Sequence, residues 1–482
     1  MNSVDVDHTR TKIVCTIGPA SRSESTLRAM IRAGMDVARI NLSHGTHHES
    51  QQDIACIRRL AEEEGANVAV MADLQGPKFR VGEIGPEPLQ LKADDTVVLS
   101  SSRTCGKDNA VHLPHPEFIG QIDSGDRLLL DDGTLEFVVE QATGKELTCR
   151  VIVGGKLRSH KGVATPEKTI DLPAITTKDR EDASFALKQE VDFLALSYVR
   201  TADTVREWQS LIQLLGGTHC EVGIVGKIET REAIDDFDNI LECVDAVIVA
   251  RGDLGVAIPV QEIPLHQKAI IRKCNRAGVP VITATQLLES MIDNPRPTRA
   301  ETSDVANTIL DGTDALLLSG ETAVGRYPVR AVEMITKIAA IVEEQMSSGH
   351  QDSSFSEVKH HQPITDAISN ATSAIARDLG ARLIVVSTWS GYTARQVARE
   401  RPTQPIVALT PNHATFRRLA LTWGVIPALV PEQRSTDDAL STMEDTVLEL
   451  GLAERGELIV VTGGLPLGGD GRTNFIKVHR LS

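Results

Sequence analysis

The chain has 482 residues, 41 % apolar and 24 % charged, the balance of an ordinary soluble globular protein. Fifty basic against 66 acidic side chains leave a net charge of -16, which excludes broad binding to nucleic acid or an anionic membrane while allowing a local phosphate site. The seven cysteines form no CxxC pair and no cysteine–histidine zinc spacing, and no run approaches the ~20 apolar residues that cross a bilayer. A cytoplasmic protein with reduced thiols is expected, of two to four domains at ~100–150 residues each.

In chain order, eight apolar runs read as strands: "KIVCTIG" from Lys12, "DVARINLS" from Asp36, "VAVMADL" from Val68, "DFLALSY" from Asp192, "VGIVGKIE" from Val222, "VDAVIVARGD" from Val244, "VPVITATQ" from Val279 and "DALLLSGET" from Asp314. Helix-patterned segments lie between them, among them "SESTLRAMIRAG", "REAIDDFDNILECV" and "VQEIPLHQKAIIRKCNRAG", the last ending at Gly278 as a helix C-terminus does. Eight βα units with strands apolar throughout predict a parallel sheet closed into a (β/α)8 barrel, assigned residues 1–75 and 172–345. The spacing breaks once. Residues 76–171 carry short strands and turn signals at Asp132-Gly133 and Thr143-Gly144, and predict a small β-barrel domain inserted in a barrel loop. After a polar linker, "EQMSSGHQDSSFSEVKHHQP", residues 346–482 alternate helix patterns with short buried strands and predict an open α/β sheet.

Barrel enzymes draw their catalytic groups from the C-terminal ends of several strands. That end here is unusually polar, with Arg39, Asn41, Ser43, His44, Asp73, Lys227, Glu229, Arg251, Asp253, Thr285, Ser319 and Glu321. Lys227 and Glu229 share one side of their strand, because strand side chains alternate. Taken alone the pair reads as an ion pair finishing a strand. With Asp253 on the next strand, the two carboxylates suit Mg²⁺ or Mn²⁺, and Arg39, Lys227 and the Arg251-Gly252 turn supply cations for a phosphate. Phosphoryl transfer or enolate chemistry fits such a set. His47 and His48 read as solvated residues at a helix start. "GGDGRTN" from Gly468 reads as an ordinary turn, and the hydroxyls of "STWSGYTAR" from Ser387 as N-caps or a phosphate site.

The segments "TKIVCTIGPAS", "ARINLSHG", "DLQGPKFRVG", "GKIET", "VARGDLG", "NRAGVPVITATQLLESM" and "PRPTRAETSDVANTILDGTDALLLSGETAVGRYP" resemble the pyruvate kinase family, and they span the barrel nearly end to end. The resemblance implies transfer of a phosphoryl group from phosphoenolpyruvate to ADP, giving ATP and pyruvate. It implies Glu229 and Asp253 as ligands of the divalent metal and Lys227 as the cation at the phosphoryl group. Arg39, Gly252, Asp253 and Thr285 would hold the enolpyruvate part, with Thr285 near the face where the enolate is reprotonated. Asn41, Ser43, His44, Arg80 and Lys161 would meet the phosphates of ADP or ATP, the inserted domain acting as a lid.

Many members of that family bind K⁺ through residues matching Asn41, Ser43, Asp73 and Leu74, and carry a glutamate where this chain has Lys78. The lysine is expected to substitute for K⁺, so that K⁺ is not required. Effectors of the family bind a loop matching Thr388, Ser390 and Thr393. Trp389 argues against fructose bisphosphate there, and another sugar phosphate or a nucleotide is expected. The family is usually homotetrameric, with "NPRPTRAE" from Asn294 resembling an interface loop. Two other readings of the same residues are a metal-dependent lyase or aldolase acting on a pyruvate enolate, and a silent metabolite sensor built on the C-terminal fold.

Overall fold

In a computed structural model the described residues are 9–102, 110–131, 133–166, 168, 170, 173–216, 221–348, 363–432, 436–464 and 473–482. Asp132, linker residues 349–362 and the glycines of "GGDGR" lie outside them.

Each of the eight apolar runs forms a strand: β1 (Lys12–Ile17), β2 (Val37–Asn41), β3 (Ala69–Asp73), β4 (Phe193–Leu196), β5 (Gly223–Ile228), β6 (Ala246–Ala250), β7 (Val281–Ala284) and β8 (Ala315–Leu318). All pair in parallel with their neighbours, and β1 pairs with both β2 and β8, which closes the barrel. One apolar layer fills the interior, including Val14, Met71, Phe193 and Ile248, and a second lies between strands and helices. Several barrel helices start on side-chain caps. Thr46 with Glu49, Thr176 with Asp179 and Thr298 with Glu301 form reciprocal capping boxes.

Two helices depart from the sequence pattern. "REAIDDFDNILECV" folds as two short helices, Arg231–Asp235 and Phe237–Leu241, broken at Asp236. Its carboxylate accepts from the amide of Ala202 and from Asn239, and its backbone, at φ -99° and ψ 14°, departs from helical values at the break. The Arg251-Gly252 pair, read as a turn, opens a helix, Arg251–Ala257, which sets Asp253 in a first turn.

Between β3 and the helix Thr177–Lys188, the chain forms an inserted domain: a curled six-stranded sheet and a two-stranded ribbon around one core containing Val97, Phe118 and Phe137. The C-terminal fold is a five-stranded sheet, β9 (Leu383–Ser387), β10 (Ile406–Thr410), β11 (Val425–Leu429), β12 (Leu458–Gly464) and β13 (Thr473–Arg480), in the order β11-β10-β9-β12-β13. The antiparallel edge strand β13 was not among the runs read from the sequence.

At the floor of the barrel, an aspartate precedes every even strand: Asp36, Asp192, Asp245 and Asp314. Each accepts the amide of a residue on the odd strand before it, from Ile13, Val70, Ile224 and Val281 at 2.7–2.9 Å. The C-terminal fold docks on this ring. Arg417 reaches Asp192 at 2.5 Å and Arg401 reaches Asp314 at 3.0 Å. Between them Ala420 and Leu421 enter the barrel's interior layer.

Candidate active site

At the opposite mouth, β5 runs to Ile228, so Lys227 and Glu229 leave it at the rim as a pair, Nζ to Oε1 2.8 Å. Both are buried. Lys227 also donates to Ser197 Oγ at 2.7 Å and lies 3.3 Å from Asp73 Oδ1. Arg39, from β2, closes the other side of Asp73 at 2.6 Å and donates to Thr16 at 2.8 Å. Burial opposes the charge on Asp73, but Arg39 and Lys227 outweigh it and hold the carboxyl below its usual range.

Glu229 Oε2 accepts the amide of Tyr198 at 2.9 Å, while its buried Oε1 lies 2.8 Å from Lys227 Nζ as an ion pair rather than a directed hydrogen bond. Asp253 stands beside it, and Lys78 bridges the two carboxylates, Nζ 2.6 Å from Asp253 and 3.9 Å from Glu229. Burial pulls the Lys78 ammonium down. Glu229, Asp253 and Asp73 raise it further, so the net shift is upward. For Asp253 burial raises and Lys78 and Lys227 lower, and the net is downward. A buried carboxylate oxygen met by ammonium groups alone, next to a second carboxylate facing a cleft, is a hard anionic donor set that fits a hard dication. Among the described residues no group of three acidic, histidine or cysteine side chains is placed to hold a metal ion, and Glu229 and Asp253 stand as a pair.

Thr285 and Gln286, just past β7, have φ of 68° and 53°, a costly conformation for a β-branched residue. Arg251 holds them there, donating to the carbonyls of Thr285 and Gln286 and pairing with Asp304 at 2.7 Å. Its guanidinium is therefore spent on the loop, where the sequence reading had it gathering phosphate. The reward is the position of Thr285, whose Oγ1 accepts the amide of Gly252 at 2.8 Å. Glu321 likewise serves the rim itself, accepting the amides of Ser319 and Leu288.

A cleft of about 650 Å³ opens between the barrel rim and the inserted domain, lined by Tyr198, Glu229 and Asp253 on one side and Lys78, Arg80 and Lys161 on the other. Arg80 and Lys161 come from adjacent segments, the amide of Val81 donating to the Lys161 carbonyl. Lys161 pairs with Asp131 at 2.7 Å, and Arg80 donates to the His160 carbonyl at 2.9 Å. His44 has its pKa lowered, first by burial and then by Arg80, Arg39 and Lys178, which keeps the ring neutral beside three cations. Asn41 Oδ1 accepts the amide of Ser43 at 3.0 Å, shaping the turn after β2. Leu74 is buried and its amide continues the sheet to Ala195. His47 is more than a solvated residue, since it stacks on Phe185 at 4.3 Å and meets Asp182 at 2.7 Å.

Sequence reasoning missed Ser197, Tyr198 and Thr16. The first two end "DFLALSY" and Thr16 lies near the end of "KIVCTIG", the two barrel strands from which no polar group was taken, and rim position alone would have found them. In the C-terminal fold, Thr388 Oγ1 accepts the amide of Gly391 at 3.0 Å, Thr393 meets Thr473 at 2.9 Å, and Ser390 and Trp389 are exposed. No helix among the described residues is long and apolar enough to cross a membrane.

Comparison with known proteins matches residues 8–332 to the family described as "Pyruvate kinase, barrel domain" and residues 366–479 to "Pyruvate kinase, alpha/beta domain". The "Pyruvate kinase" of Geobacillus stearothermophilus is 45 % identical over 477 residues, covering 98 % of this chain and 80 % of the relative. That of Clostridium acetobutylicum is 40 % identical over 473 residues, covering 98 % and 99 %. "Pyruvate kinase 2" of Synechocystis sp. is 44 % identical over 474 residues, covering 98 % and 79 %.

Proposed function

Because this chain belongs to the pyruvate kinase family, we propose that it moves the phosphoryl group of phosphoenolpyruvate to ADP, yielding ATP and pyruvate. The bond from phosphorus to the enol oxygen breaks, a bond from phosphorus to a terminal β-phosphate oxygen of ADP forms, and the enolate takes a proton at its methylene carbon. One observation carries the reading: Lys227, Glu229, Lys78 and Asp253 form a single charge cluster facing a cleft whose other wall bears Arg80 and Lys161. A lyase acting on a pyruvate enolate would need the first wall and not the second.

Glu229 and Asp253 would hold Mg²⁺, or Mn²⁺ in its place; when bound, the ion supplies Lewis-acid charge to the phosphoryl and enol oxygens. Lys227 meets the charge that develops on the phosphoryl oxygens, and Ser197, Asp73 and Glu229 fix its ammonium without need of reorganisation. Arg39 binds the substrate anion, oriented by Asp73 and Thr16. Gly252 and Asp253 bound the enolpyruvate part, and Thr285 keeps its hydroxyl at the face where the methylene carbon is protonated. Asn41, Ser43, His44, Arg80 and Lys161 receive the nucleotide phosphates, and the inserted domain closes over them to exclude water.

In the same reading Lys78 supplies the positive charge that K⁺ supplies elsewhere in the family, at the site matching Asn41, Ser43, Asp73 and Leu74. Its support is an ammonium paired with Asp253 and within electrostatic reach of Asp73. A phosphorylated metabolite acts through Thr388, Ser390 and Thr393, and the enzyme works in the cytoplasm as a homotetramer. The deciding experiment measures pyruvate from phosphoenolpyruvate in potassium-free Mg²⁺ buffer, with and without ADP. Turnover that needs ADP supports the kinase; turnover without it, or none under any condition, overturns it.

A further inference from the structure

The inserted domain joins the barrel by two chain crossings, one leaving after β3 through Gly76 and one returning through Thr176. Both end on the same side chain. Asp179, fully buried, accepts the amide of Gly76 on Oδ1 at 3.0 Å. On Oδ2 it accepts the amide of Thr176 at 3.1 Å and the Thr176 hydroxyl at 2.6 Å. Thr176 Oγ1 in turn accepts the amide of Asp179 at 3.0 Å.

An N-cap box alone would account for the two contacts to Thr176. It does not account for the third, which comes from a residue 103 positions earlier in the chain. Gly76 is not an incidental donor. Its φ of +66° favours glycine, and a Cβ there would sit 2.9 Å from the Cβ of Ser197. Ser197 is the acceptor of Lys227, and two residues past Gly76 stands Lys78, the bridge between Asp253 and Glu229. The outgoing crossing therefore touches the reacting cluster at two points.

We propose that Asp179 is a positioning residue that clasps both crossings of the inserted domain, fixing the axis about which that domain closes and with it the placement of Lys78, Arg80 and Lys161 over the barrel rim. The proposal rests on the kinase reading for its kinetic consequence and on geometry alone for the clasp. A carboxylate is required, since both oxygens accept from N–H donors. In Asp179→Asn one end of the amide must face a backbone N–H with another donor, so one crossing is released whichever way the amide turns.

The test is hydrogen exchange and steady-state kinetics on the full-length enzyme and its Asp179→Asn and Thr176→Val variants. In Asp179→Asn, exchange over residues 74–80 or 173–178 should quicken by about tenfold while residues 181–188 keep the wild-type rate. KM for ADP should rise by about five- to tenfold, with KM for phosphoenolpyruvate within about twofold, because the barrel holds one substrate and the inserted domain much of the other. Thr176→Val should loosen only 173–178, and Thr176→Ser should restore it.

Unchanged exchange at both crossings overturns the clasp. So does faster exchange along the whole helix, which marks a cap and nothing more, and so does loosened exchange with wild-type kinetic constants. Should the wild type make no pyruvate, the exchange result still decides the clasp while the kinase reading fails separately. Should Asp179→Asn not fold, the Thr176 pair carries the test.

Discussion

Lys78 Nζ lies 2.6 Å from Asp253 Oδ1, joining the first residues of the inserted domain to a carboxylate 175 positions later on the barrel rim. An ammonium on a crossing between domains carries its charge wherever that crossing goes, whereas a free cation must be bound from solution. Replacing it with glutamate inverts the charge at that point. Lys78→Glu is expected to lower turnover in potassium-free buffer by about 100-fold or more, with KCl restoring much of it and NaCl not. Rates measured against each salt decide it, and a wild type that itself needs K⁺ would remove the idea.

Lys227→Met should lower kcat by about 10²–10³ or more, the usual consequence of losing one preorganised charge in a water-poor site. Asp73 keeps Arg39 and Glu229 keeps the Tyr198 amide and Lys78, so the fold should survive. A melting curve near wild type alongside the lost turnover is the expected pair of results. Wild-type turnover would exclude Lys227 from the reaction.

Chelation by EDTA should abolish turnover, and added Mg²⁺ or Mn²⁺ should restore it. Glu229→Gln keeps an acceptor for the Tyr198 amide but loses charge, so the Mg²⁺ concentration for half-maximal rate should rise by about tenfold or more. Titrating Mg²⁺ against rate, and separately following Mn²⁺ binding by electron paramagnetic resonance, tests this with and without catalysis.

Glu301 is held below the ordinary carboxylate range: burial raises it, but the donors of Ser290 and Thr298 lower it more. Its folded pKa is thus below its unfolded one. The resulting stabilisation is present above about pH 4.5 and is lost as pH falls through the folded value. Glu301→Gln should cost about 1–2 kcal/mol at pH 7 and progressively less as pH falls through the folded value, read from urea midpoints across the acid range.

If the C-terminal fold binds a phosphorylated effector, Thr393→Ala should cut the activating response to a panel of sugar phosphates and nucleotides while leaving basal kcat within about twofold. Thr393 also meets Thr473 across the sheet, so a melting curve accompanies the assay. Failure of every panel member to shift half-saturation in the wild type would make the site structural.

The eight barrel strands were legible because nearly all are runs of mainly apolar residues buried on both faces, a pattern that needs no knowledge of its partners. Strand β13 was not, since its "TNFIKVHR" mixes exposed and half-buried positions at a sheet edge. Lys227 and Glu229 were readable as neighbours on one strand. That Arg251 would turn to the Thr285 and Gln286 carbonyls, or that Ser197 would receive Lys227, depends on approach between separate strands, and no local spacing encodes it.

The plug formed by Ala420 and Leu421 bears on how the protein is made. On a ribosome the last barrel strand emerges about a hundred residues before the plug does, so the nascent barrel waits with its floor open, Asp314 and Asp192 lacking Arg401 and Arg417 and an apolar interior exposed to solvent. Synthesis order thus leaves the barrel incomplete until the C-terminal fold is itself being made, and a nascent chain stalled before Leu421 is one that chaperones would be expected to hold.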